Sequence, residues 1–176
     1  ISEHVREDIA KWWPWAPPVS VIHNGVADLA SVAQEAVPEL VGQCYFFHIS
    51  RMSPSKNVGA LIRMAAIWPE RLFVFSGPDS PEVARHREEV AVLNLSNVRF
   101  ICDVSEAQKA WLYKHCDAFL FPSLMEGFGL PPIEAMHFGV PVVVSRLSCL
   151  PEICGDAASY WDDFEPVTMK RVVERA

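Results

Sequence analysis

Short apolar runs alternate along this chain with segments whose apolar residues recur at helical spacing. Cys44–Ile49, Leu72–Ser76, Val98–Ile101, Ala118–Phe121 and Pro141–Val144 are compact runs rich in aromatic and β-branched side chains, the pattern of buried strands. Between them, Asn57–Trp68 carries Val58, Leu61, Ile62 and Ala65 at i, i+3, i+4 and i+7, one stripe of an amphipathic helix. Ser80 followed by Pro81 marks a helix start, with the helix running to about Leu93. Ser105 and Gln108 form a capping box for a helix reaching His115. Pro131–Phe138 is a further predicted helix, and Ser159–Trp161 is a short strand before a helix from Pro166. Near the start, Val19–His23 reads as a strand closed by the turn pair Asn24–Gly25, and residues 27–42 as a loop or a poorly formed helix.

Apolar strands alternating with amphipathic helices predict a parallel sheet covered on both faces, a doubly wound, Rossmann-like α/β domain. In such folds ligands bind outside the carboxyl ends of the strands, where the strand order reverses. Residues directly after strands are therefore the ones to search for chemistry.

Composition narrows the class. With 176 residues the chain is long enough for one domain with a sizeable core and hardly for two. The expected boundary leaves residues 1–17 as the tail of a preceding element and 18–176 as the domain. In that tail a polar, helix-like start gives way to Trp12, Trp13, Pro14 and Trp15. These tryptophans would pack either on a neighbouring domain or on this domain's own flank, and both readings fit. The net charge of −7 argues against a general nucleic-acid binder, which carries a basic face. No apolar run approaches the roughly 20 residues that cross a bilayer, and no secretory signal is recognisable. The scattered Cys44, Cys102, Cys116, Cys149 and Cys154, without a CxxC pair, read as reduced core thiols of a cytosolic protein. His115 beside Cys116 is the one weak hint of metal ligation, and no metal site is expected. The start on Ile1 and a last helix reaching Ala176 without a Gly or Pro stop are expected of a segment of a longer chain.

Two post-strand loops carry candidate chemistry. After Cys44–Ile49 comes Ser50–Arg51–Met52–Ser53–Pro54–Ser55–Lys56–Asn57, where Arg51 and Lys56 could converge on an anion beside the next helix. Alone, that loop reads first as two solvated surface cations. After Ala118–Phe121 comes Pro122 to Glu134, with Gly127 and Gly129 before a Pro-started helix. Glycines let the backbone approach a ligand closely, and the helix start offers N–H groups to a diphosphate. Glu134 could take a pair of ribose hydroxyls and Glu126 the hydroxyls of a sugar. Glu134 alone reads equally as a favourable acid at a helix start.

Together these residues are a specific combination. Glu126 and Glu134, seven residues apart around Gly127–Phe128–Gly129–Leu130–Pro131, resemble the E-x7-E signature of family 4 glycosyltransferases. Asp117–Ser123 is similar to that family's lead-in strand, and Gly139–Val143 and Leu150–Pro151–Glu152 to its continuation. Arg51 and Lys56–Asn57 resemble its phosphate loop, and Ile22–Val26 its domain-opening strand and turn. The resemblance spans roughly residues 18–165. It implies the donor-binding, C-terminal half of a two-domain (GT-B) retaining enzyme acting on a UDP- or GDP-sugar. Arg51 and Lys56 would hold the distal phosphate, so that no divalent metal or other cofactor is needed. Glu126 would contact the donor sugar, and the backbone of Gly127, Phe128, Gly129 and Leu130 the sugar and phosphate. Glu134 would bind the ribose, and the loop with Cys102 and Val104 the base. Where the family often has Gly, this chain has Ser50 and Cys102, which implies modest local change.

By the same resemblance the acceptor, a glycan or lipid-linked sugar, would sit on an N-terminal domain outside this chain. The expected setting is the cytoplasm, peripherally at the inner membrane face, in polysaccharide assembly. Two alternatives remain at this stage, a non-catalytic nucleotide-sugar-binding module and a sugar-nucleotide epimerase of the same architecture. A pyridoxal-phosphate phosphorylase lacks an identifiable lysine, and a dinucleotide oxidoreductase lacks GxGxxG after the first strand.

Overall fold

A computed structural model describes residues 1–176. Six parallel strands form one sheet in the order β3-β2-β1-β4-β5-β6. They are β1 (Tyr45–Ile49), β2 (Leu72–Gly77), β3 (Val98–Cys102), β4 (Ala118–Phe121), β5 (Val142–Ser145) and β6 (Ser159–Trp161). The helices are α1 (Glu3–Trp12), α2 (Val58–Ala66), α3 (Pro81–Val92), α4 (Glu106–His115), α5 (Leu130–Met136), α6 (Leu150–Cys154) and α7 (Pro166–Val173). The expected doubly wound α/β class is what the chain adopts, with the strand order that reverses between β1 and β4.

Alternation along each strand divides the core into two layers. Phe46, Phe73, Phe75, Leu120 and Val143 point to one face, against Leu61 and Ile62 of α2 and Met169 of α7. Tyr45, Phe47, Val74, Phe119 and Val144 point to the other, against Leu112 and Tyr113 of α4 and Leu150 of α6. Full burial of an aromatic side chain such as Phe47 is worth about 2–3 kcal/mol, so either layer outweighs the intrinsic propensity of any one helix. The helix starts follow the sequence signals. Ser80 Oγ accepts from Val83 N–H at 3.3 Å, and both bonds of the Ser105/Gln108 capping box are made at 3.1 Å.

One feature departs from the sequence reading, whereas residues 27–42 form the irregular segment expected. Val19–His23 forms no strand: it pairs with none of the six strands, and Ile22 stays 79% exposed. Residues 27–42 carry two single 3₁₀ turns, Leu29–Ser31 and Pro38–Leu40, whose Leu29 and Leu40 are buried. The chain's first residues lie against the domain. Ser2 is fully buried and its hydroxyl donates to Gly127 O at 2.9 Å, while Glu152 accepts the N–H groups of Glu3 and His4. Trp12, Trp13 and Trp15, beyond that anchor, are exposed.

Candidate functional site

β1 and β4 are neighbours in the sheet although about seventy residues separate them in the chain, so the loops after them meet at the switch point. Ser55 O joins those loops by accepting from Ser123 Oγ at 3.1 Å and from Leu124 N–H at 2.7 Å. Ser123 is clamped from its other side, its carbonyl accepting from Ser145 Oγ at the end of β5. Ser148, in the left-handed region at φ 58, donates its hydroxyl to Glu126 O at 2.7 Å and accepts from Glu126 N–H at 3.0 Å. The backbone that aims Glu126 is thus held by a loop far along the chain.

The loop bearing Arg51 is set by a relay from the buried sheet. His48 is 0% exposed, with Nδ1 2.8 Å from Leu120 O on β4 and Nε2 2.8 Å from Ser50 Oγ. Because a carbonyl only accepts, Nδ1 carries the proton and Ser50 donates to Nε2. Ser50 Oγ in turn accepts from Met52 N–H at 3.0 Å, which offsets the left-handed conformation of buried Met52 at φ 54. Burial lowers the His48 pKa to about 4, the Leu120 carbonyl opposing and the Lys56 charge reinforcing the shift, so the ring is neutral at pH 7. Ser50, where the related pattern has Gly, therefore has a structural use in this chain. The close-approach glycine lies instead on β2, where a Cβ on Gly77 would come within 1.9 Å of Ser50 O.

A cleft of about 500 Å³ opens at the carboxyl ends of β1, β2 and β3, within the range of small-ligand sites. Ser50 and Arg51 from the loop after β1 line it together with Leu130, Pro131 and Glu134 of α5. Asp103, Val104 and Lys109 close the end beyond β3. Arg51 is exposed at the cleft and takes part in none of the chain's ion pairs. Its cation is therefore available to a ligand. Lys56 lies on the neighbouring turn with Nζ 2.5 Å from Glu126 Oε1, the two side chains 20% and 11% exposed. The structure thus pairs Lys56 with Glu126 and places Arg51 and Glu134 in one cleft.

Gly129 adopts φ 90, a conformation that favours glycine, and a Cβ there would also press on the end of the Leu150 side chain, with Cδ2 at 2.8 Å. Pro131 and Pro132 have no N–H, which concentrates the unpaired backbone donors of this helix start on Gly129 and Leu130. Gly127 packs against Ile1, and Phe128 is buried with its ring 5.8 Å from that of His23. Val104 lines the cleft, whereas the Cys102 thiol lies outside it, 3.4 Å from Arg87 Nη2. Asp103, at φ 53 with its N–H donated to Gly77 O, carries the chain across that end.

Several site residues are not evident from sequence. Tyr113 OH donates to Glu134 Oε2 at 2.8 Å, and Lys109 Nζ lies 3.6 Å from Glu134 Oε1. Their i, i+4 spacing puts them on one face of α4, but nothing local aims that face at α5. His48 sits inside an apolar run and reads as core, which it is in burial though not in bonding.

Comparison with known proteins places this geometry in a family. The model for glycosyl transferases group 1 matches residues 33–163. The O-antigen chain mannosyltransferase RfbU of Salmonella typhimurium is 28% identical over 163 residues, covering 91% of this chain and 45% of the relative. The O-antigen chain mannosyltransferase B of Escherichia coli is 33% identical over 131 residues, covering 68% and 33%. Sucrose-phosphate synthase from Thermosynechococcus elongatus superposes with a TM-score of 0.79 at 20% identity, over 99% of this chain and 47% of its own. Anabaena HepE, solved in complex with UDP and glucose, superposes at 0.69 and 21% identity over 87% and 43%. This chain therefore spans less than half the length of these relatives. Its doubly wound sheet, its post-strand cleft and the family match over three quarters of its residues make it a member of the group 1 glycosyl transferases.

Proposed function

We propose that the cleft binds the nucleoside diphosphate of a sugar donor, and that the whole enzyme transfers the sugar with retention to a glycan or lipid-linked acceptor. The observation that carries the reading is an unpaired Arg51 and Glu134 lining one cleft at the strand-order reversal. Arg51 would meet the distal phosphate, Gly129 and Leu130 N–H its oxygens, and Glu134 the ribose. The base would lie toward Asp103 and Val104. Lys56, on its turn beside Glu126, would share its charge with the leaving diphosphate while Glu126 accepts from sugar hydroxyls.

In the transfer, the bond from the anomeric carbon to the diphosphate oxygen breaks and negative charge grows on that oxygen. Fixed cations stabilise this charge more than they stabilise the intact donor, which lowers the barrier. The acceptor oxygen attacks from the same face, and its proton passes to the departing diphosphate. Arg51 and Lys56 supply the charge that a divalent metal provides in other transferases. The relatives' names favour a mannosyl donor, carried by UDP or GDP. No helix of this chain is long and apolar enough to cross a membrane.

Calorimetric titration of this chain with UDP, GDP and ADP tests the reading. Binding in the micromolar-to-millimolar range is expected, weakened roughly tenfold or more by Arg51→Ala, the size of one charge-assisted contact. Glu134→Ala should weaken it by a similar factor. Equal affinity in wild type and both variants would remove the assignment.

A further inference from the structure

The carboxylate of Glu134 is held by two side chains of α4, Tyr113 from the buried core and Lys109 from the end of the cleft. Tyr113 is 0% exposed, and its ring is caged by Phe47, Phe119 and Phe138, with centroids at 5.2, 5.3 and 5.8 Å. A ring fixed on three sides presents its hydroxyl at one point, and that point is 2.8 Å from Glu134 Oε2. Burial, reinforced by the Glu134 charge, raises the Tyr113 pKa well above the ordinary phenol value, so the hydroxyl stays a donor. One turn earlier, Lys109 Nζ lies 3.6 Å from Glu134 Oε1 and 2.9 Å from Glu106 Oε2, its side chain 16% exposed. Each carboxylate oxygen of Glu134 therefore has one protein partner on the α4 side.

We propose that Tyr113 and Lys109 are positioning residues that fix the plane of the Glu134 carboxylate for the two vicinal hydroxyls of a ribose. The terminal torsion of a glutamate is soft and broad, so an unheld carboxylate would turn between many orientations. Each carboxylate oxygen has about two acceptor positions; Tyr113 takes one on Oε2 and the Lys109 ammonium attracts Oε1 at ion-pair distance, so both oxygens keep an acceptor position for the cleft. Two adjacent acceptors on one rigid plane match the two parallel O–H donors of a cis diol. A single hydroxyl fills only one of them and leaves the other dry and unpaired. Ribose recognition is then a property of the Tyr113–Glu134–Lys109 triad rather than of Glu134 alone. The inference rests on the reading of Glu134 as the ribose contact.

The test is selectivity between GDP and 2′-deoxy-GDP, with UDP and 2′-deoxy-UDP in parallel, measured by calorimetry on the whole chain. Wild type should prefer each ribonucleotide roughly tenfold, the size of one hydrogen bond to a charged group. Tyr113→Phe, which keeps the caged ring, should bring that preference to within about threefold while barely changing affinity for the deoxy compounds. Lys109→Met, at a residue that also lines the cleft, should likewise narrow the preference to within about threefold, and because Lys109 is not part of the apolar core it keeps the test open if Tyr113→Phe fails to fold. A wild-type preference that survives in both variants, or a parallel loss of affinity for ribo and deoxy compounds, overturns the positioning role. Failure of Glu134 itself shows differently. No preference in wild type, or one unchanged by Glu134→Ala, would overturn the ribose assignment and this inference with it.

Discussion

His48 offers a quantitative check on how the Arg51 loop is held. Its pKa falls from 6.5 to about 4 through burial, the Leu120 carbonyl opposing and the charges of Lys56 and His86 adding to the fall. Above pH 6.5 the ring is neutral in folded and unfolded chains alike, so pH has no effect through this group. Between 6.5 and 4 the unfolded chain binds a proton that the folded chain excludes, so stability drops as pH drops. Below about 4 both states are protonated and the loss stops growing. At about 1.4 kcal/mol per unit, about 2 kcal/mol is lost by pH 5 and about 3 kcal/mol by pH 4. The assay is urea unfolding from pH 8 to pH 5, followed by tryptophan fluorescence, on wild type and His48→Gln. The glutamine amide can still donate toward Leu120 O but does not titrate. Other groups cancel in the difference between the two curves. The variant's deficit at pH 8 should shrink by about 2 kcal/mol at pH 5. A deficit constant across that range would show that His48 titrates normally, and the relay through Ser50 to Met52 would not be as described.

Other consequences follow from single positions. Gly129→Ala should cost about 2–4 kcal/mol by urea unfolding, combining a left-handed alanine with the Leu150 clash, whereas Gly139→Ala at φ 69 with open space should cost about 1 kcal/mol. Equal costs would mean that Leu150 yields freely. Asn97 Nδ2 reaches the carbonyl of Ala65 in the last turn of α2 and those of Trp68 and Arg71 beyond it, so Asn97→Ala should destabilise by about 2 kcal/mol, with GDP and UDP affinity unchanged. A shift in nucleotide affinity in that variant would contradict the separation of this cap from the cleft. The proposed use of Arg51 and Lys56 as the cations of the reaction predicts that a chelator leaves sugar transfer by the full-length enzyme within about twofold. Strict dependence on manganese would contradict it.

What could be read from sequence and what could not divides along local and non-local physics. β4 and β6 match their predicted bounds, and the α4 capping box forms as its residues demand, because each signal lies within a few neighbouring residues. Val19–His23 has strand-like residues, yet a strand also needs to be carried alongside a sheet edge, which depends on the rest of the fold. Helix α6, five residues opened by Leu150–Pro151, is too short for a period to show. The two candidate loops were legible because fold class directs the search to post-strand residues and the Glu126–Glu134 spacing resembles a family signature; alone, the first loop reads as two solvated cations. Their internal pairing was not, since the sequence offers Lys56 a phosphate while the fold also offers it Glu126 at 2.5 Å. Lys109, Tyr113 and Ser148 act through contacts between elements whose relative rotation no local pattern specifies.

The account turns on one nucleoside diphosphate being gripped jointly by the ends of β1, β3 and β4. Amide chemical-shift mapping of this chain during titration with GDP or UDP tests that directly. The account predicts saturable shifts at Arg51, Asp103, Val104, Gly129 and Leu130, with the indole signals of Trp12, Trp13 and Trp15 unmoved. Saturable binding whose shifts cluster on the tryptophans of residues 12–15 and leave Arg51, Gly129 and Leu130 in place would contradict it.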